Sequence, residues 1–273
     1  MDKIRTLLIT SLLLVIQTAW GQAVLPDLGF AQDFAAQVKS MDEFMARFNG
    51  DESKQVIHKT SLRRRDNILA LFDFNIGHGN LTNNDFKKKL SDFTEAVCSW
   101  KSRLDLKDAS SWAELLCSVK FNNKTFPVTL LMQKENIDNN RSRWAIVCVK
   151  GLKEAGLYND KLSTISPVDH EVHFMGLQDF IQNNRLLCPS LRSKNKTIDT
   201  FSMFVGMLVS GNLHFVSINE VKFHFLAVPD YAFVVKEIGR NGPNSGWLIS
   251  NFWKLDNKGK EKYENNLLGI DIK

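Results

Sequence analysis

The sequence predicts an α+β protein made of two tandem halves, each a set of helices followed by a curved antiparallel sheet. Three observations carry this. Apolar residues recur at helical spacing as far as Trp100. The texture then changes to β-rich runs separated by Asn- and Asp-rich turns. After residue 152 the same succession of helices and strands returns. A sheet with one apolar face has to be covered by helices, which is the logic of α+β architecture.

The elements follow in order. A basic start (Lys3, Arg5) leads into an apolar block from Leu7 to Ile16 and a small-residue exit, Ala19-Trp20-Gly21. That is the layout of a secretory signal peptide over 1–21, with the mature chain starting at Gln22 or at Val24. The apolar block is too short to span a bilayer. Phe30, Phe34, Val38, Phe44 and Phe48 then mark a helix within 30–50 that stops at Asn49-Gly50. A second helix is expected from about Leu62 to Asp73. A third opens at Thr82 and runs over Asp85 to Trp100, with Phe86, Leu90, Phe93 and Val97 as its apolar stripe.

Strands are expected at Trp112–Phe121, Phe126–Glu135 and Arg143–Leu152. Asn122-Asn123-Lys124 and Asp138-Asn139-Asn140 supply the turns of a three-stranded meander. The second half repeats the order, with helices at Val172–Asn184 and Ile198–Val209. Strands follow at Val221–Val228, Tyr231–Ile238 and Gly246–Leu255. Short matches support a tandem duplication: Ser142-Arg143-Trp144-Ala145-Ile146 with Ser245-Gly246-Trp247-Leu248-Ile249, and Lys134-Glu135 with Lys236-Glu237. Ala70 to Phe74 likewise resembles Gly176 to Phe180. The boundary is expected in 153–167, giving halves at 22–157 and 158–273.

Composition bounds the function classes. The chain has 273 residues, 44% hydrophobic and 24% charged, which suits a globular protein with a sizeable core. The net charge of +5 is too mild for a nucleic-acid binder. Arg63-Arg64-Arg65 and Lys87-Lys88-Lys89 lack interleaved aromatics and read as solvated faces at helix starts. Thr200 to Asn219 carries no charge, but Ser210-Gly211-Asn212 breaks it, so a buried core helix is expected there and no membrane span.

Four cysteines, Cys98, Cys117, Cys148 and Cys188, form no CxxC pair. Cys117 and Cys148 sit in apolar runs and read as buried free thiols, while disulfide pairing stays open.

Candidate chemistry is sparse. Asp169-His170-Glu171-Val172-His173 is the densest titratable cluster. It lacks a third ligand for zinc and reads as a capped helix start, with Asp169 at the cap and Glu171 in the first turn. His224 alternates with Phe223 and Phe225, so it takes the opposite sheet face and is expected to point outward to water. Sequons stand at Asn80, Asn123, Asn140 and Asn195. GxSxG, Walker and GxGxxG motifs do not occur.

The order of elements and the Trp-bearing last strand resemble the nuclear transport factor 2-like (cystatin-like cone) superfamily. The leader, the Phe44–Gly50 segment (Phe-Met-Ala-Arg-Phe-Asn-Gly) and the Pro167–Leu177 segment resemble uncharacterised secreted proteins of Bacteroidetes. The superfamily resemblance covers most of the chain after residue 21. It implies a cone of helices and bent sheet that hosts ketosteroid isomerases, scytalone dehydratases and polyketide cyclases as well as plain binding modules.

The expectation is therefore a secreted or periplasmic, non-enzymatic binding or interaction protein. Its partner would be a small apolar ligand or a protein, and no catalytic, cofactor-binding or metal-ligating residue is assigned. The alternative is a small-molecule isomerase, dehydratase or hydrolase with a polar group inside a cone.

Overall fold

The structure, a computed structural model, describes residues 38, 40–51, 64–73, 83–100, 103–106, 110–138, 141–158, 162, 176–183, 190–239 and 245–269. Among these, six helices accompany one six-stranded antiparallel sheet that does not close. The helices are α1 (Met41–Asn49), α2 (Arg64–Ala70), α3 (Asn83–Ser99), α4 (Leu177–Asn183), α5 (Thr200–Val209) and α6 (Asn257–Leu268). The strands are β1 (Ser111–Phe121), β2 (Lys124–Asn136), β3 (Ser142–Lys150), β4 (Leu213–Phe225), β5 (Tyr231–Ile238) and β6 (Gly246–Lys254), in the order β3-β2-β1-β4-β5-β6. Two compact units result, residues 1–99 with 238–250 and residues 100–237 with 251–273.

The first unit is helical. Ser40 caps α1 by accepting from the Glu43 amide at 3.2 Å, and Gly50 ends it in the left-handed conformation (φ 73°). Arg47, almost wholly buried, reaches back one turn to the Glu43 carboxylate. The stripe of α3 is buried along its whole length, at Phe86, Leu90, Phe93 and Val97. Phe93 meets Phe72 edge-on at 5.4 Å. Two isolated parallel bridges tie this unit to the first half of β6: Val38 with Gly246, and Phe72 with Ile249. Gly246 sits at φ 92°, and a Cβ there would overlap the Val38 carbonyl.

The second unit holds the sheet core. Asn122 (φ 47°) and Asn123 (φ 62°) both take left-handed backbone between β1 and β2, the requirement of a two-residue hairpin turn. Asp230 (φ 57°) does the same between β4 and β5. The side chain of Asp199 caps α5 by accepting from the Phe201 amide at 3.1 Å and from the Ser202 hydroxyl. The helix then lays Phe204 against Cys117, Val119, Val128, Leu130, Val149 and Leu213. The opposite sheet face carries α6, capped by Asp256, which accepts from the Gly259 amide at 2.7 Å.

Several expectations need correction. No clear tandem halves emerge: β1 and β4, each the first strand of its meander, pair antiparallel and fuse both meanders into one open sheet. Trp144 and Trp247 do stand near the starts of the outer strands β3 and β6. By contrast, Ala70 closes a helix whereas its proposed counterpart Gly176 precedes one. The α5 segment is not a buried core helix, because only Phe204 is fully covered and Val205 and Val209 face outward. β4 begins at Leu213, eight residues earlier than expected, since its first residues are strand despite flanking a helix of similar apolarity. The strongly polar segment Asn257–Leu268 is the helix α6, where the sequence predicts no element. The signal peptide expected over 1–21 lies outside the described residues.

Candidate functional site

Charged residues placed two apart on neighbouring strands build a polar ladder on the α6 side of the second unit. Alternation along β4 puts Glu220, Lys222 and His224 on one face. The β1 register sets Trp112 opposite His224, Glu114 opposite Lys222 and Leu116 opposite Glu220. The β5 register sets Lys236 directly opposite Lys222, a like-charge pair that would be unfavourable alone. Two carboxylates resolve it. Lys222 Nζ donates to Glu114 Oε1 at 3.0 Å and lies 3.3 Å from Glu220 Oε2, while Lys236 Nζ donates to Glu220 Oε1 at 3.3 Å.

α6 closes over one end of this ladder. Tyr263 Oη is 2.8 Å from His224 Nδ1, and Trp112 Nε1 donates to Glu264 Oε1 at 3.1 Å. Lys260 Nζ donates to the carbonyls of Leu226 and Val228, both at 2.6 Å. Tyr263, Leu267 and Leu268 pack on Trp112, Leu226 and Ala232. His224 is consequently only 4% exposed, so the outward expectation is overturned. It does take the face opposite Phe225, which stacks on Phe233 at 5.0 Å, but that face is roofed by a helix.

Electrostatics fix the protonation states. The His224 contact pulls the Glu114 carboxyl down, burial opposes it, and Lys222 pulls it further, to about 2. The His224 Nε2 to Glu114 Oε2 separation is 3.4 Å and Nε2 makes no well-aligned hydrogen bond, so Lys222 supplies the well-formed bond. For Tyr263, burial first and the Glu114 charge second push the phenol above its ordinary value. Burial also acts against Glu220, yet the Lys236 bond and the Lys222 charge hold its carboxyl low. Glu114 thus remains a carboxylate and Tyr263 a neutral hydroxyl across the physiological range. Both ring nitrogens of His224 face protein groups, which makes the ladder a clamp joining β1, β4, β5 and α6.

The expected candidates fare differently. Asp169 to His173 and Cys188 lie outside the described residues. Arg64 Nε donates to the Phe48 carbonyl at 3.2 Å and Arg65 to Ser91 Oγ at 3.2 Å, so part of the basic run serves internal contacts. Lys88 and Lys89 are exposed, as are the sequon residues Asn123 and Asn195. Cys117 is buried, and burial pushes its thiol up, whereas Cys148 is only half-buried. Among the described residues no group of three or more His, Cys, Asp and Glu is arranged to hold a metal ion. The ladder itself had a sequence signal, the period-two spacing Glu220-x-Lys222-x-His224 inside a strand.

A second feature is apolar. Two bulges in the β1–β4 pairing leave Val216 and Asn219 as extra residues on β4. The shifts keep Phe215 and Ile218, three apart, opposite Val119 and Cys117 and hence on the α5 face. Unlike those buried partners, Phe215 and Ile218 are 44% and 52% exposed, and Val209 at the end of α5 is 84% exposed. Val205 and Val216 are exposed too, so an apolar shoulder runs from α5 onto β4. No family model, curated protein or solved structure matches the chain.

Proposed function

We infer that the protein is an exported binding or interaction protein without catalytic activity, and that the α5–β4 shoulder is its docking face. The observation that carries this is the exposure of Phe215 and Ile218 on the α5 face of β4, with Val209 exposed at the end of the helix that precedes the strand. Isolated exposed apolar residues are ordinary, whereas a contiguous patch on a well-packed support marks an interaction surface. The ladder favours the same reading. A general base needs a ring nitrogen turned toward substrate, and both nitrogens of His224 are turned toward protein. Export rests on the leader at 1–21, and N-terminal sequencing of the exported chain should begin at Gln22 or Val24.

Titration with an uncharged naphthylamine fluorophore tests the docking face. Saturable binding is expected for the wild type, weakened at least tenfold in a Phe215→Lys/Ile218→Lys chain that keeps its circular dichroism. Equal binding by both chains would remove the shoulder from the reading.

A further inference from the structure

We propose that the shoulder's occupant is a second copy of this chain, added through the open edge of β4; the proposal rests on the docking face inferred above. β5 pairs with β4 only over Lys222 to Phe225, so the run Leu213–Asn219 pairs with β1 on one side and with no strand on the other among the described residues. Such an edge offers a row of unpaired amides and carbonyls that accepts another strand.

Three properties favour a copy of the same segment. The chain carries no Asp, Glu, Lys or Arg from Thr200 to Asn219, so opposing two identical runs sets no like charges against each other. It equally offers no charge to select an acidic or basic peptide. The run also contains no Pro or Lys, the residues by which edge strands are usually blunted. Finally, a two-fold axis perpendicular to the sheet pairs the strands antiparallel and leaves the α5 faces of both copies on the same side. Centred between Val216 and Ser217, it sets Phe215 of each copy opposite Ile218 of the other, both on the α5 face, and brings the two apolar pairs into one patch. This is an isologous contact that closes on itself.

The bulges at Val216 and Asn219 fall inside this run, twist it and limit the number of regular hydrogen bonds that it can offer. The contact therefore belongs to the small, reversible class, below about 1,200 Å².

Sedimentation of the full chain over a wide concentration range is the test. The wild type is expected to pass from monomer to dimer with rising concentration, and amide exchange of Leu213–Asn219 is expected to slow in parallel. The Phe215→Lys/Ile218→Lys chain should need at least tenfold higher concentration to dimerise while keeping its melting temperature. A wild type that stays monomeric throughout overturns the proposal, as does a dimer whose β4 amides exchange at the monomer's rate. Fluorophore binding that depends on Phe215 and Ile218 in a strictly monomeric chain would overturn the second copy and leave the docking face standing.

Discussion

Replacing Glu114 by Gln removes one negative charge from the centre of the ladder and keeps its size. In the native chain the Glu114 carboxyl titrates at about 2 rather than 4.5. At about 1.36 kcal/mol for each pH unit, that gap corresponds to about 3 kcal/mol of folding free energy. The figure is a ceiling, because the His224 contact is long and Lys222 retains Glu220 when Glu114 is neutralised. A depressed native value means the contribution is complete above about pH 5 and fades as the pH falls toward 2. The expected loss on Glu114→Gln is therefore about 2–3 kcal/mol at pH 7, shrinking steadily below pH 4.5. Amide exchange of β1 and β4 under graded urea, at pH 7, 5, 4 and 3, reads the second unit directly. A difference that stays constant from pH 7 to pH 3, or that is under 0.5 kcal/mol at pH 7, refutes the ladder as a charge-dependent clamp.

Three further outcomes are expected. Gly246→Ala should destabilise the first unit by about 2 kcal/mol or more, since it adds a Cβ against the Val38 carbonyl at a left-handed φ of 92°; protection of the Trp247 and Ile249 amides checks it. Phe204→Ala should cost about 3–5 kcal/mol by opening a cavity between α5 and the sheet, measured by urea unfolding, and a loss under 1 kcal/mol would mean that α5 does not dock as described. Tyr263→Phe leaves His224 Nδ1 without its partner under α6 and should cost about 1–3 kcal/mol; faster exchange in α6 with β2 and β3 unchanged is the expected pattern.

Much of the local architecture was legible because its causes are local. Phe86, Leu90, Phe93 and Val97 announce one helix face through spacing alone, and all four are buried. Asn122-Asn123 announces a turn because Asn tolerates left-handed backbone, and both residues adopt it. Tyr231–Ile238 is bounded as expected, and Gly50 ends α1 where a stop was read. The start of β4 was harder to read. An uncharged apolar run fits strand or buried helix equally well, and only pairing with β1 decides between them. α6 is hard to read because its apolar face is short, Tyr263, Leu267 and Leu268 only, and Lys260, Tyr263 and Glu264 bond to partners distant in sequence.

The sequence by itself determined the α+β class, the helix stripe, the hairpin turns and the face on which His224 lies. Only the tertiary structure decided what covers each face and which strands meet. His224 and Tyr263 are 39 residues apart, and Trp112 and Glu264 are 152 apart. No local pattern encodes such contacts: period-two alternation fixes which face a side chain takes, but whether that face meets water or a helix depends on where a distant segment finds its lowest free energy. For the same reason two similar-looking meanders became one sheet. Their first strands each had an open edge, and pairing those edges satisfies backbone groups that separate halves would have left exposed.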